Sequence, residues 1–167
     1  MEITRQAYPV KVYTATHEVK GIHTPIGNFL TAINNEGICF EMTDVTYTPL
    51  SPNAALRPIS VPQAILHKDE ILFMAFDEEG VADDMTMLKR VDRLIVYTAS
   101  FVLRGEMHLG AEDQVRDLLD SLRGRFQPLT EATVFPVVET QVSVPSDHDL
   151  LLLNTTSIQL YHPENAE

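Results

Sequence analysis

The chain has 167 residues, 44% hydrophobic and 22% charged, ordinary for a soluble globular protein and long enough for one domain or two small ones. Lysines and arginines number 12 against 24 aspartates and glutamates, and the net charge of −12 argues against a nucleic-acid backbone as partner, because phosphate affinity comes from Lys and Arg. The longest unbroken apolar runs, Leu150 to Leu153 and Ile71 to Phe76, fall far short of the roughly 20 residues of a membrane helix. Met1-Glu2-Ile3-Thr4-Arg5 lacks the apolar core of a signal peptide, and the single cysteine, Cys39, allows no internal disulfide and no cysteine-based zinc site. The expectation is a cytoplasmic chain with no membrane partner.

The first element in chain order alternates apolar and polar residues and ends at a glycine: Val12-Tyr13-Thr14-Ala15-Thr16-His17-Glu18-Val19-Lys20-Gly21. It recurs without gaps as Val96-Tyr97-Thr98-Ala99-Ser100-Phe101-Val102-Leu103-Arg104-Gly105, at an offset of 96 − 12 = 84. Period-two alternation predicts a half-buried strand in each place, with Tyr13, Ala15 and Val19, and Tyr97, Ala99, Phe101 and Leu103, on the core face. Gly21 and Gly105 mark a bend or bulge. A short helix follows over Gly27 to Asn34, with Phe29, Leu30 and Ile33 on one face and Gly37 beyond its end. Its counterpart runs from Ala111 to Leu122, with Val115, Leu118, Leu119 and Leu122 at helical spacing and Gly124 as the stop. β-type segments follow at Ile38 to Tyr47 and Phe126 to Val134, and two further strands end near Phe76 and Tyr161.

Three more blocks repeat in the same order. Met42-Thr43-Asp44-Val45-Thr46 matches Leu129-Thr130-Glu131-Ala132-Thr133 at offset 87, Ile59-Ser60-Val61-Pro62 matches Val142-Ser143-Val144-Pro145 at 83, and Ile65-Leu66 with Ile71-Leu72-Phe73 matches Leu152-Leu153 with Ile158-Gln159-Leu160 at 87. The drift places extra residues near Gly110 to Gly124 in the second copy and near Pro49 to Pro58 in the first, as expected of surface connections. The division is residues 1–78 for copy one, 79–92 for an acidic linker and lead-in, and 93–167 for copy two. The fold class is mainly β with α (α+β): two tandem small antiparallel barrels, each with one short helix, arranged as a pseudo-dimer. The strands Ile71 to Phe76 and Ile158 to Tyr161 are expected to join the copies through equivalent surfaces, as in an isologous dimer.

Copy two also carries Gly105-Glu106-Met107-His108-Leu109, Val115-Arg116-Asp117-Leu118-Leu119, Phe126-Gln127-Pro128-Leu129-Thr130-Glu131-Ala132 and Leu151-Leu152-Leu153-Asn154. In these it resembles a bacterial family of short uncharacterised domains with G-x-x-H-L, a D-x-L-N-like helix, F-x-x-L-T-D-A and F-L-x-V-N-K motifs. It departs from that pattern where Asp120 follows Leu119. The resemblance implies Sm-like or SH3-like small barrels and carries over no catalytic residue.

Residues with chemical potential are few. His23 and His108 follow the two glycines and are the candidate metal ligands, brought together only if the copies meet about a pseudo-twofold. Strand-end histidines held by hydrogen bonds are the commoner outcome. His17 takes the place of Phe101 and reads as a packed histidine; Cys39, between Ile38 and Phe40, reads as a small core residue. Ser146-Asp147-His148-Asp149 holds the residue types of a triad, but sequence neighbours point apart and Pro145 favours a turn. Glycine-rich phosphate loops and calcium-loop spacing are missing. These grounds assign no catalytic residue and no cofactor. The reading is a non-enzymatic protein-protein interaction or assembly module, acting on a protein partner or by self-association. The alternatives are an Sm-like RNA or single-stranded nucleic-acid binder and a small-ligand or metal-dependent enzyme.

Overall fold

The computed structural model describes residues 5–35, 37–77, 81–121 and 125–165. Its elements in order are β1 (Tyr8–Thr14), β2 (His17–His23), α1 (Phe29–Asn35), β3 (Cys39–Pro49), β4 (Ile59–His67), β5 (Ile71–Phe76), β6 (Arg90–Tyr97), β7 (Phe101–Leu109), α2 (Val115–Asp120), β8 (Phe126–Pro136), β9 (Asp147–Asn154) and β10 (Leu160–Pro163). All strand pairs are antiparallel, and together they make one open ten-stranded sheet in the order β10-β6-β7-β8-β9-β5-β1-β2-β3-β4. The class is thus mainly β with two short helices. The strands of both expected units lie in a single continuous sheet, which is not closed.

The repeated blocks become repeated local structures. The strand expected over Val12 to Gly21 is a tight hairpin, broken at Ala15-Thr16, and Ala99-Ser100 break its counterpart. The threonine of each Val-Tyr-Thr-Ala block fastens the turn: the His17 amide donates to Thr14 Oγ1 at 3.0 Å and the Phe101 amide to Thr98 Oγ1 at 3.2 Å. The break resets the alternation. Tyr13, Val19, Phe101 and Leu103 are buried, whereas Ala15 and Ala99 are exposed at the turns and Tyr97 is only half-buried, with Leu94 and Val96 taking the core face of β6. Gly21 and Gly105 sit where pairing with the next strand slips. A Cβ on Gly21 would lie 2.9 Å from the Thr43 carbonyl oxygen, and one on Gly105 2.8 Å from Leu129 Cγ. Opposite them Asp44 and Glu131 adopt the left-handed conformation, with φ of 51° and 48°. These are bulges, which bend and twist the strands locally.

Both helices are shorter than the periodicity predicts. In α2, Val115 is buried and Leu118 and Leu119 pack on the core, while Leu122 and Gly124 lie outside the described residues. The connection between halves is not wholly a solvated linker, since Val81 and Met85 are buried in the first half's core. The counterpart of the β4 start, Val142 to Pro145, is irregular, and β9 begins only at Asp147.

The halves are joined by β5 and β9, with Phe73 opposite Leu153, Met74 opposite Leu152 and Ala75 opposite Leu151. This junction is heterologous: the fifth strand of one half pairs with the fourth of the other, and β10 takes no part in it. The expected isologous contact is therefore corrected, with Ile71 to Phe76 at the junction and Ile158 to Tyr161 away from it. Where they pair, both joining strands are buried on both faces. Phe73, Ala75, Leu151 and Leu153 enter one core cluster, while Ile71, Met74, Leu150 and Leu152 enter the other. Tyr13 stacks on Phe73 at 4.7 Å, and both meet Phe101 of the second half edge-on.

Polar side chains close the ends of the junction. Asn34 at the end of α1 exchanges two hydrogen bonds with the Phe126 backbone, at 3.0 and 2.9 Å. Buried Asn154 donates to the carbonyls of Ile71 and Lys68 at 2.7 and 3.2 Å. At the other end, Gln141 Nε2 donates to the Pro49 carbonyl at 2.6 Å and Ser100 to the Ala15 carbonyl.

Two outcomes follow. Phe73→Ala lowers stability by about 3–5 kcal/mol, the cost of a large buried cavity, and shows in a chemical-denaturation midpoint. Residues 1–78 and 93–167 expressed apart show no cooperative thermal transition, because each lacks the strand that walls its core. Two fragments each melting like the intact chain would contradict this.

Candidate interaction surfaces

The two candidate metal ligands are each committed locally. His23, at the end of β2, is buried, stacks on Phe40 at 4.1 Å and bonds through Nδ1 to the Glu41 carbonyl at 2.7 Å. His108, in β7, bonds to the Leu88 carbonyl at 2.8 Å and to Thr130 Oγ1 at 2.7 Å. Each imidazole works within its own half, and among the described residues no three His, Cys, Asp or Glu side chains gather as a metal site. The head-to-tail junction supplies no twofold to bring the two histidines together.

Ser146, Asp147 and His148 form no relay. The Ser146 hydroxyl reaches its neighbour Asp147 at 3.1 Å, and His148 Nε2 turns to the Pro145 carbonyl at 2.8 Å. Cys39, expected in the core, is exposed at the start of β3, because the buried face of that strand belongs to Phe40 and Met42. No helix of the described residues is long and apolar enough to cross a membrane.

One candidate surface lies at the seam between the halves. A mostly apolar cleft of about 310 Å³ is walled by the Ala15–His17 turn, by Leu50 and Ala54 to Leu56 of the long β3–β4 connection, and by Ser100, Val138 and Thr140 of the second half. The sequence shows the connection near Pro49 to Pro58 but not what it covers, since the second wall comes from residues more than 40 positions away. His17 lies on this cleft, stacked on Tyr47 at 3.9 Å, with Nδ1 2.6 Å from Thr16 Oγ1 and Nε2 buried with no partner. The expectation of a packed histidine is met there. Burial pushes its imidazole below the ordinary value and the Tyr47 phenol up.

The other candidate surface is formed by the sheet edges. β4 pairs only with β3 and β10 only with β6, so each has one unpaired side. Ile59 and Ile65 on β4 are 48% and 59% exposed, and Leu160 on β10 is 58% exposed. Pro62 and Pro163 occupy these two strands, the positions where a missing amide hydrogen is tolerated. At nine residues, β4 is long for an unprotected edge. The strand alternation makes β4 visible in sequence; its edge position is not, because strand order is a long-range property.

Several of the described arginines are paired with carboxylates. Arg93 pairs with Glu106 at 3.2 Å, Arg116 with Asp120 at 3.6 Å, and Arg104 and Arg125 with Glu164 and Asp69.

Searches for similar proteins give no matching family model, curated protein or solved structure.

The His17 environment sets a pH dependence. Its folded pKa lies below the unfolded one, so its contribution is fully present above the ordinary value near 6.5 and is lost as pH falls through the folded value. His17→Phe, the residue at the matching place in the second half, removes that part. The expected result is a smaller drop in melting temperature from neutral to mildly acid pH than in the unaltered chain. Equal drops would show that His17 does not contribute.

Proposed function

We propose that this protein is a non-enzymatic assembly module built of two barrel-like units and acting through its exposed sheet edges. The observation that carries the reading is the pair of unpaired edge strands with outward-facing Ile59, Ile65 and Leu160. Adding a strand to an open edge satisfies a row of backbone donors and acceptors at once, while side chains on alternate sides give selectivity. The two-unit reading draws on the four repeated sequence blocks and on the same succession of elements in each half: two strands, a helix, two strands, a 3-10 turn and a last strand. Each half also has the same internal strand order, fifth-first-second-third-fourth. The resemblance to Sm-like or SH3-like small barrels is consistent with that order and is part of the proposal. A nucleic-acid role is disfavoured by the net charge of −12 and by arginines already paired with carboxylates.

A second reading, a small apolar ligand held at the seam, is favoured by the cleft beside His17 with its unpartnered nitrogen. Amide hydrogen exchange separates the two. The full chain is purified with whatever it binds in its source cells and compared with the stripped protein. Edge assembly predicts slowing of β4 or β10 amides by roughly tenfold or more. Slowing confined to the residues around the seam cleft would replace it by ligand binding.

A further inference from the structure

We propose that the partner of each edge is the other edge of a second copy of this chain, so that copies join head to tail through β4 and β10. The inference rests on the edge-assembly reading above and names its partner. The chain already contains one junction of this kind. In β5–β9 the fifth strand of one half pairs with the fourth strand of the other, with three residues of each in register. The chain's two outer edges are the unused members of the same pairing: β4 is the fourth strand of the first half and β10 the fifth strand of the second. Every copy thus presents one edge of each type, at opposite ends of its sheet.

The sequence repeat transfers the register. Leu152-Leu153 corresponds to Ile65-Leu66, and Phe73 to Leu160, both at offset 87. Phe73 opposite Leu153, Met74 opposite Leu152 and Ala75 opposite Leu151 therefore become Leu160 opposite Leu66, Tyr161 opposite Ile65 and His162 opposite Ala64 between chains. Five of the six residues, His162 aside, are apolar or aromatic. Ile65 and Leu160 are mostly exposed, and the other four are half-buried. Pro62 and Pro163 lie just beyond this stretch and limit the ladder to about the length of the internal one, since proline has no amide hydrogen to donate. A contact between two unlike edges uses neither edge twice, so it repeats from copy to copy and yields a ring or a filament rather than a closed dimer.

Ile65→Lys and Leu160→Lys test the inference, because both sites are exposed in the single chain and a lysine there blocks edge pairing without removing a core side chain. Native mass spectrometry and light scattering are run on the full-length chain, on each variant, and on an equimolar mixture of the two. The expected results are assemblies of several copies for the unaltered chain, monomers for each variant alone, and a heterodimer and nothing larger for the mixture. That last species forms because one variant retains a working β10 and the other a working β4. In the unaltered chain, amides of Ala64 to Leu66 are also expected to exchange more slowly as concentration rises.

An unaltered chain that stays monomeric, or concentration-independent exchange in β4, overturns self-assembly but leaves other partners of the edges to the footprint of the native complex. A variant that dimerises alone shows an edge pairing with its own kind; this overturns the head-to-tail geometry and retains edge assembly. Melting curves of both variants matching that of the unaltered chain at dilutions where it is monomeric show that loss of assembly is not loss of fold. If either variant melts lower, the exchange measurement on the unaltered chain decides.

Discussion

Three residue pairs between β5 and β9 hold the two halves in one sheet, and most other features depend on them. Where they pair, neither strand has a solvent face. Phe73 and Leu153 point into the core of the second half, while Met74 and Leu152 point into that of the first. Each half thus completes the other's core. A unit of this size buries a smaller share of its surface than a larger domain does, and the shared strands offset that disadvantage. Asn34, Asn154, Gln141 and Ser100 bond across the same boundary to backbone groups that the sheet leaves open, so the junction ends carry directional contacts as well as apolar burial.

The asymmetry of this junction shapes the outer surface. An isologous contact between two β5-type strands would have used both edges of that type. The observed contact uses one edge of each type and leaves one of each open. The edges differ in design from the joining strands mainly by exposure. β5 is apolar on both faces, whereas β4 alternates and carries Pro62, and β10 is short and ends in Pro163. Proline and shortness are common means of restraining edges, while Ile59, Ile65 and Leu160 leave them adhesive.

The seam cleft is a by-product of the same boundary. The long connection after β3 reaches across to the second half, where Leu50 is buried in that half's core. His17 packs on Tyr47 below it, where the second half has Phe101, and its burial lowers the pKa of the imidazole.

Local chemistry was readable from the chain. Period-two alternation placed the strands and the glycines marked the bulges at Gly21 and Gly105, but the drop in offset at Ile59 did not mark an insertion, since nine residues join β3 to β4 and ten join β8 to β9. The reading failed where a short turn reset the alternation. Ala15 and Ala99 are small and suit a strand's inner face as well as a turn, and the Thr14 and Thr98 hydroxyls decide for the turn by bonding the backbone three residues on. It failed at Cys39 because the phase of β3 was set by Phe40 and Met42. The sequence by itself determined the mainly β class, the order of the elements and the absence of phosphate-binding and cysteine-zinc motifs, all of which rest on residues near one another in the chain. Only the tertiary structure decided that β5 meets β9 rather than β10, which strands are edges, and that the seam forms a cleft. Those outcomes depend on backbone hydrogen bonds between residues far apart, and backbone groups are the same for nearly every side chain, so the letters of the sequence leave the choice of partner open.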